Sequence, residues 1–484
     1  MWAYPDRRVK IVTTLGPSVS GQDRLRQLLE AGADVVRINA SHGAEAGWAE
    51  QIADVRAAAD TLGRRVPILF DLQGLKIRTG AVPNGLAGGM ARGAQVRIVP
   101  RQVESTTEQI GIGYPNLLQV VEAGSRLLIS DGLIELLVED VGDDHADCIV
   151  SRGGMLNGRQ GVTLPGAPIR GGAVTEQDRS DIAFAVSHGV DFLGLSFVND
   201  ASDIRLARET AARHGVVPGL IAKIEREDAL NNVEEIAQEA DGLMVARGDL
   251  GVQLPPERVP RAQKRIIAVA NRMGIPVITA TQMLESMITQ PVATRAETSD
   301  IANAVWDGTD AVMLSAESAT GRYPFEAVQT MDKIIKEIER DGPIRSEASQ
   351  LPLPHHPDAA LNFADAIARA GQELADSSRH ARLILVFTYA GAAARRMAKY
   401  RTSQPIVAVC SQESTATRLN LVWGVRTILL PLQLEANDMF DLAGWTVIEQ
   451  GLADASDYAL IIGSLPVVER SGTTNLLHIR ALGE

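Results

Sequence analysis

Two cysteines in 484 residues are too few for a disulfide framework or a cysteine zinc site. Cys148 and Cys410 lie in different regions of the chain, and a reducing, cytoplasmic setting is expected. Long apolar runs are missing too. None approaches the roughly 20 residues a membrane helix needs, and the opening MWAYPDRRVKIVTTLG has no signal-peptide core, so no membrane partner is expected. An excess of basic residues is also absent. The net charge of −13 argues against a general nucleic-acid or anionic-membrane binder, while leaving room for a local basic pocket that takes phosphates. No low-complexity tract occurs. What is there is an ordinary globular balance, 45% hydrophobic, in a chain long enough for two or three domains.

Apolar, β-branched runs recur at Val9–Thr14, Val35–Ala40, Pro67–Leu72, Phe192–Phe197, Leu220–Glu225, Gly242–Ala246, Pro276–Thr281 and Ala311–Ser315. Helical patterns separate them, among them Ala44–Leu62, Asp228–Ala240, Val259–Met273 and Thr298–Trp306. About eight strand–helix units match a closed parallel barrel. The gap between the third and fourth runs is far longer than the others, which places an inserted domain at 81–172. That insert is Gly-rich, with short strand-like pieces such as Gln95–Val99, Arg126–Ile129 and Ile134–Val138. A β domain above the third βα loop stands where barrel active sites sit, so a lid is expected; the bland reading is a structural decoration. After Arg340 a proline-rich connector, DGPIRSEASQLPLPHHPD, leads into renewed helix–strand alternation. The expected fold is α/β: a (β/α)8 TIM barrel of 1–80 and 173–342, an inserted β domain of 81–172, and a C-terminal α/β domain of 343–484.

The stretch Leu220 to Gly251, LIAKIEREDALNNVEEIAQEADGLMVARGDLG, carries the clearest chemistry. Period-two alternation puts Lys223 and Glu225 on one strand face, with Ile224 opposite. A second strand ends in Arg247, Gly248 and Asp249. Charges at strand ends are often surface salt bridges, but here other strand ends converge on the same edge. VVRINASH puts Arg37, Asn39 and Ser41 on one face. FDLQGLKIRTG brings Asp71, Lys76 and Arg78; TATQMLES brings Thr281; MLSAES brings Ser315 and Glu317. Such a rim suits phosphate or ion coordination.

The segments TTLGP, VVRINASH, IAKIE, DGLMVARGDLGV, TATQMLESM, TRAETSDIANAVWDGTDAVMLSAESATGRYP and GTTN occur in this order across all three expected domains. Together they resemble the pyruvate kinase family. The resemblance implies a (β/α)8 barrel with an inserted small β-barrel lid and a C-terminal α/β domain. It implies phosphoryl transfer from phosphoenolpyruvate to ADP, giving pyruvate and ATP, in a cytoplasmic homotetramer. Glu225 and Asp249 would hold Mg²⁺ or Mn²⁺, whose preference for hard oxygen ligands they suit. Lys223 would stabilise charge on the transferring phosphoryl and the enolate. Thr281 matches a threonine near the enolate face, and Arg37 and Arg78 match phosphate-contacting arginines. The backbone of Ala246, Arg247, Gly248 and Asp249 matches the substrate-carboxylate site. Asn39 and His42 lie where the family approaches ADP. The bland readings are a lid-hinge surface charge for Arg78, a structural cap for His42, barrel-end hydrogen-bonding for Ser315 and Glu317, and a turn for Asp131.

The chain departs from the family at FDLQGLKIRTG, where LDTKGPEIRTG is common. In the common form a monovalent cation sits near the glutamate, bound by groups matching Asn39, Ser41, Asp71 and the carbonyl of Leu72. Here Lys76 replaces that glutamate, and the fixed ammonium would take over the electrostatic role of K⁺. The chain resembles the K⁺-independent class. In the C-terminal domain, Thr388-Tyr389-Ala390-Gly391-Ala392-Ala393 lacks the hydroxyls and basic group of a sugar-phosphate nest, which argues against fructose bisphosphate activation. Ile169–Thr175, IRGGAVT, departs from the family's usual run before the returning threonine. Two other readings stay open: a metal-dependent barrel acting on pyruvate or its enolate, such as an aldolase, and a binding relative without chemistry.

Overall fold

The computed structural model describes residues 7–82, 89–167, 169, 174–340, 342, 358–378, 380–431, 436–464 and 474–483. Most of the proline-rich connector, residues 170–173 of the returning hinge and the first half of GTTN lie outside them. The barrel strands are β1 (Lys10–Thr14), β2 (Val35–Asn39) and β3 (Ile68–Asp71). The inserted domain supplies β4 (Gln95–Val99), β5 (Gln109–Gly111), β6 (Arg126–Ile129), β7 (Ile134–Val141), β8 (Ala146–Arg152) and β9 (Val162–Thr163). The barrel resumes with β10 (Phe192–Leu195), β11 (Gly219–Ile224), β12 (Gly242–Ala246), β13 (Val277–Ala280) and β14 (Ala311–Leu314). The closed order is β1-β14-β13-β12-β11-β10-β3-β2, all parallel.

Strand alternation divides the apolar residues into two cores. Ala222, Ile224, Val312 and Leu314 face outward into the large core shared with the helices. Val12, Val35, Leu69, Phe192, Ile221, Met244, Ile278, Ala311 and Met313 fill the lumen, so the barrel is packed and not a pore. The strands are shorter than the apolar runs suggested. Ser41, Glu225, Thr281 and Ser315 therefore stand just beyond the last ladder residue, at the mouth.

Two helices differ from the sequence pattern. The acidic segment after β11 breaks into Glu227–Asn231 and Val233–Glu239. The side-chain amide of Asn232 donates to the Asn199 carbonyl at 3.0 Å, anchoring the break to a neighbouring loop. The helix expected from Thr298 begins at Arg295, because Thr294 and Glu297 form a capping box.

The inserted domain is a six-stranded sheet, β5-β4-β8-β7-β6-β9, around its own apolar core. Arg78 bridges Gly161 beside β9, and Thr79 bridges Ile112 beside β5. The segment leaving β3 thus joins both edges and curls the sheet. At its tip Ser130 and Asp131 both take φ 55, in a turn completed by Gly132. Asp131 is a turn residue as the sequence suggested, and it also faces Arg247, Gly248 and Gln282 across a cleft of about 710 Å³.

The C-terminal sheet runs β17-β16-β15-β18-β19: Val425–Leu429, Ile406–Cys410, Ala381–Phe387, Tyr458–Gly463 and, antiparallel, Leu476–Ala481. It docks on the barrel floor. Leu421, 1% exposed, joins the lumen cluster from below. Buried Arg401 bonds Asp310 at 3.1 Å and Asn271 at 3.0 Å, with its guanidinium 4.8 Å from the Trp423 ring.

Candidate active site

Lys223 is fixed at the barrel mouth by three groups. Its Nζ lies 2.9 Å from Glu225 Oε1 and 3.2 Å from Asp71 Oδ1, and donates to Ser196 Oγ at 2.7 Å. Side-chain exposures of 12% for Lys223 and 1% for both carboxylates exclude a solvated surface cluster. Asp71 Oδ1 has no well-aligned hydrogen bond, so its contact with Lys223 is an ion pair only. Burial pulls the Lys223 ammonium toward deprotonation, but Asp71 and Glu225 together reverse this and hold its pKa above the ordinary lysine value. Lys223 is therefore a fixed cation, unsuited to act as a base near neutral pH.

The end of β10 holds residues that the sequence reading passed over. Ser196 is 3% exposed, and its hydroxyl donates to the Leu72 carbonyl at 2.7 Å. The Phe197 amide donates to Glu225 Oε2 at 2.7 Å. Phe197 takes φ 54, a position that bulky residues rarely adopt. The available signal was the period of two, which places Ser196 on the face of Gly194 at a strand end.

Opposite, Thr281 and Gln282 take φ 67 and 54, and a β-branched residue there is strained. Thr281 Oγ1 accepts from the Gly248 amide at 2.8 Å and donates to the Ala280 carbonyl at 2.7 Å. Ala246 ends β12, and Arg247 to Gln253 form a short helix with Asp249 in its first turn. The Arg247 side chain turns away from the mouth. It donates to the Thr281 carbonyl at 2.6 Å and to Asp300 at 2.8 Å. Glu317 is a barrel-end hydrogen-bonder: it accepts from the Leu284 and Ser315 amides at 3.1 and 2.7 Å.

On the other side, Arg37 donates from Nε to Asp71 Oδ2 at 2.7 Å and from Nη1 to Thr14 Oγ1 at 3.0 Å. Burial pushes the Asp71 carboxyl up, yet Lys223 and Arg37 hold it below the usual carboxylate range. Asn39 Oδ1 accepts from the Ser41 amide at 3.1 Å. His42 is exposed, and its carbonyl accepts from Trp48 Nε1 at 2.8 Å. Arg78 donates to the Arg159 carbonyl at 3.1 Å, at the root of the inserted domain. Lys76 is exposed beside it; the nearest atom to a Cβ built at Gly161 is Lys76 Cε, at 4.0 Å. Its ammonium makes no hydrogen bond or ion pair with any described residue. Arg37, Lys223, Glu225 and Asp71 thus come together directly, while His42, Lys76 and Arg78 stand at the periphery.

Two carboxylates suit a divalent cation here. Burial pushes Glu225 above the usual carboxylate range; Lys223 opposes the shift and Asp249 adds to it. Two cations, Lys223 and Arg37, against Glu225, Asp249 and Asp71 leave a net negative charge that a hard cation relieves. Among the described residues no cluster of three His, Cys, Asp or Glu side chains could hold a metal alone. Glu225 and Asp249 would supply two oxygens, and water or ligand oxygens the others.

Comparison with known proteins places the chain in a family. The family model for the pyruvate kinase barrel domain matches residues 6–328, and that for the pyruvate kinase alpha/beta domain matches 365–480. Pyruvate kinase from Geobacillus stearothermophilus is 42% identical over 483 residues, covering 99% of this chain and 81% of that protein. The enzyme from Staphylococcus aureus strain MRSA252 is 38% identical over 482 residues, with the same two coverages, 99% and 81%. A crystal structure of a pyruvate kinase from Cryptosporidium parvum superposes with TM-score 0.90 at 34% identity, over 98% of this chain and 96% of that one. Identity of 42% over 99% of this chain, the family models over both halves, and the barrel with its inserted β-sheet together identify the chain as a phosphotransferase of the pyruvate kinase family.

Proposed function

We propose that the chain transfers the phosphoryl group of phosphoenolpyruvate to ADP, giving pyruvate and ATP. The observation that carries this reading is the Lys223 ammonium, buried between Asp71 and Glu225 with Asp249 nearby. Phosphoryl transfer needs positioning and charge neutralisation more than covalent chemistry. The fixed ammonium stabilises the negative charge that develops on the phosphoryl and enolate oxygens. Arg37, held by Asp71, adds a second cation for the phosphate. Backbone groups of Ala246, Arg247, Gly248 and Asp249 orient the substrate carboxylate. Thr281 holds the proton path to the enolate carbon. A divalent cation on Glu225 and Asp249, Mg²⁺ or Mn²⁺, supplies further charge neutralisation when bound. Asn39, His42 and Arg78 form the nucleotide side.

The reading extends to K⁺. The Asp71 charge is matched within the chain by Arg37 and Lys223, and Lys76 replaces the family's common glutamate. The fixed charge of Lys76, at the position of that glutamate, takes the electrostatic role of K⁺ in this reading, so K⁺ is not required. We divide the chain as 1–80 with 173–342 for the barrel, 81–172 for the lid and 343–484 for the C-terminal domain. We also propose a cytoplasmic homotetramer. Exposed Val292, Trp306 and Ile479, at 69%, 53% and 51%, supply apolar surface for subunit contacts. No helix among the described residues is long and apolar enough to cross a membrane.

A coupled assay with phosphoenolpyruvate, ADP and Mg²⁺, with and without K⁺, tests the whole reading. Activity in both conditions is expected. Absence of pyruvate formation overturns the reaction; strict need for K⁺ overturns only its subclass. Lys223→Met is expected to abolish transfer without unfolding the chain.

A further inference from the structure

We propose that Ser196 is a positioning residue for Lys223, an inference that rests on the role given to Lys223 above. The lysine ammonium has three N–H groups on a flexible four-carbon stem. In the structure the ammonium donates a hydrogen bond to Ser196 Oγ at 2.7 Å and forms ion pairs with Glu225 Oε1 and Asp71 Oδ1. Two of the three partners are carboxylates, which alone would draw the nitrogen down between them. Ser196 is the uncharged partner. It holds the nitrogen in a third direction without competing with substrate for charge.

The serine is itself locked. Its hydroxyl proton is committed to the Leu72 carbonyl at 2.7 Å, which leaves the oxygen lone pairs to the ammonium. Gly74, at φ +64, packs against it so closely that an added Cβ would lie 3.0 Å from both Ser196 Cβ and the Ser196 carbonyl. The next residue, Phe197, holds Glu225 through its amide at 2.7 Å while in a strained conformation. One dipeptide at the end of β10 therefore sets both the catalytic cation and a carboxylate of the metal pair. Strained backbone persists where the surroundings over-determine it, and here the surroundings are Leu72, Gly74 and Glu225.

The test compares Ser196→Ala, Ser196→Thr and Lys223→Met by steady-state kinetics and thermal unfolding. A displaced catalytic group costs on the order of 10²-fold. Ser196→Ala is expected to lower kcat about 10- to 100-fold while the KM for phosphoenolpyruvate stays within about threefold. Ser196→Thr, which keeps the oxygen, is expected to recover most of the loss. Should Ser196→Ala shift the unfolding midpoint, Ser196→Cys, close in volume with a weaker acceptor, is read by the same criteria. Wild-type kcat in Ser196→Ala overturns the proposal, as does a loss that Ser196→Thr leaves unrecovered at an unchanged midpoint. If Lys223→Met remains active, the role of Lys223 fails instead, whatever Ser196→Ala does.

Discussion

Replacing Arg247 with methionine removes a clamp while keeping most of the side-chain volume. The guanidinium is 8% exposed, and it donates to the Thr281 carbonyl at 2.6 Å, to Gln282 and Ala280 carbonyls at 3.3 Å each, and to Asp300 at 2.8 Å. The turn it holds contains two non-glycine residues at positive φ. Each such residue costs about 1–3 kcal/mol, so the turn stores roughly 2–6 kcal/mol. Hydrogen bonds from a charged donor contribute about 1.5–3 kcal/mol each, and the two short ones together offset that strain. Without them the turn is expected to relax, and Thr281 loses its register with the Gly248 amide. The expected result is a fall in kcat of at least about tenfold, with a midpoint lowered by only a few degrees, because the strain released offsets most of the lost hydrogen bonding. Both are read by the coupled pyruvate assay and scanning calorimetry. A kcat within twofold of wild type refutes the idea that this clamp orders the catalytic turn. Gln282→Gly is the companion: it relieves the strain at φ 54 while leaving Arg247 in place, and should leave the midpoint unchanged or raise it.

Three further outcomes are expected. Burial pulls Lys10 down to about 8, against Asp34 and with Arg7 and Arg426. Between about pH 8 and 10.5 the unfolded chain then binds the extra proton, so stability rises with pH by roughly 3 kcal/mol over that window. Lys10→Met should flatten this slope in denaturant titrations at pH 8 to 10, and equal slopes would contradict the assignment. Lys76→Glu should create a K⁺ requirement in the kinetic assay; indifference to K⁺ in that variant counts against a role for the ammonium. Leu421→Ala should destabilise the chain by about 2–4 kcal/mol, since it empties a site in the barrel lumen. Chemical denaturation measures this, and a loss under about 1 kcal/mol would mean that the floor collapses around the gap.

The barrel was legible because burial on both strand faces leaves unbroken β-branched runs, and the inserted domain was legible as a gap between two of them. Strand ends were less so. Apolar residues continue past the last ladder residue, as at Phe197, which is half-buried and turns out of the strand at φ 54. The break at Asn232 left no signal in periodicity, since its cause is the carbonyl of Asn199, a contact between distant segments. Lys223, Glu225 and Arg37, which the structure brings together at the mouth, were conspicuous in sequence because charge in an apolar run stands out. Ser196 was missed because a serine at a strand end is unremarkable until its neighbours are known. In sequence the Arg247 side chain is only a strand-end charge, whereas in the structure it serves the next loop.

The stretch from Leu220 to Gly251 looks self-sufficient in sequence, yet none of its functional groups is held by the stretch alone. Lys223 depends on Asp71 from β3 and Ser196 after β10. Glu225 depends on the Phe197 amide. Gly248, beside Asp249, is tied by its amide to Thr281 after β13. The parallel barrel is what makes this dependence possible. Successive strands deliver their C-terminal ends to one ring, so residues far apart in sequence become neighbours at fixed register. The same geometry explains why charge balance at the mouth is shared. Asp71 is claimed by both Arg37 and Lys223, so a change at the end of β3 alters the cation on β11. The proposed effect of Lys76 on the ion requirement is of the same kind, a single residue beyond β3 acting on a charge balance shared around the ring, and the Lys76→Glu assay is what decides it.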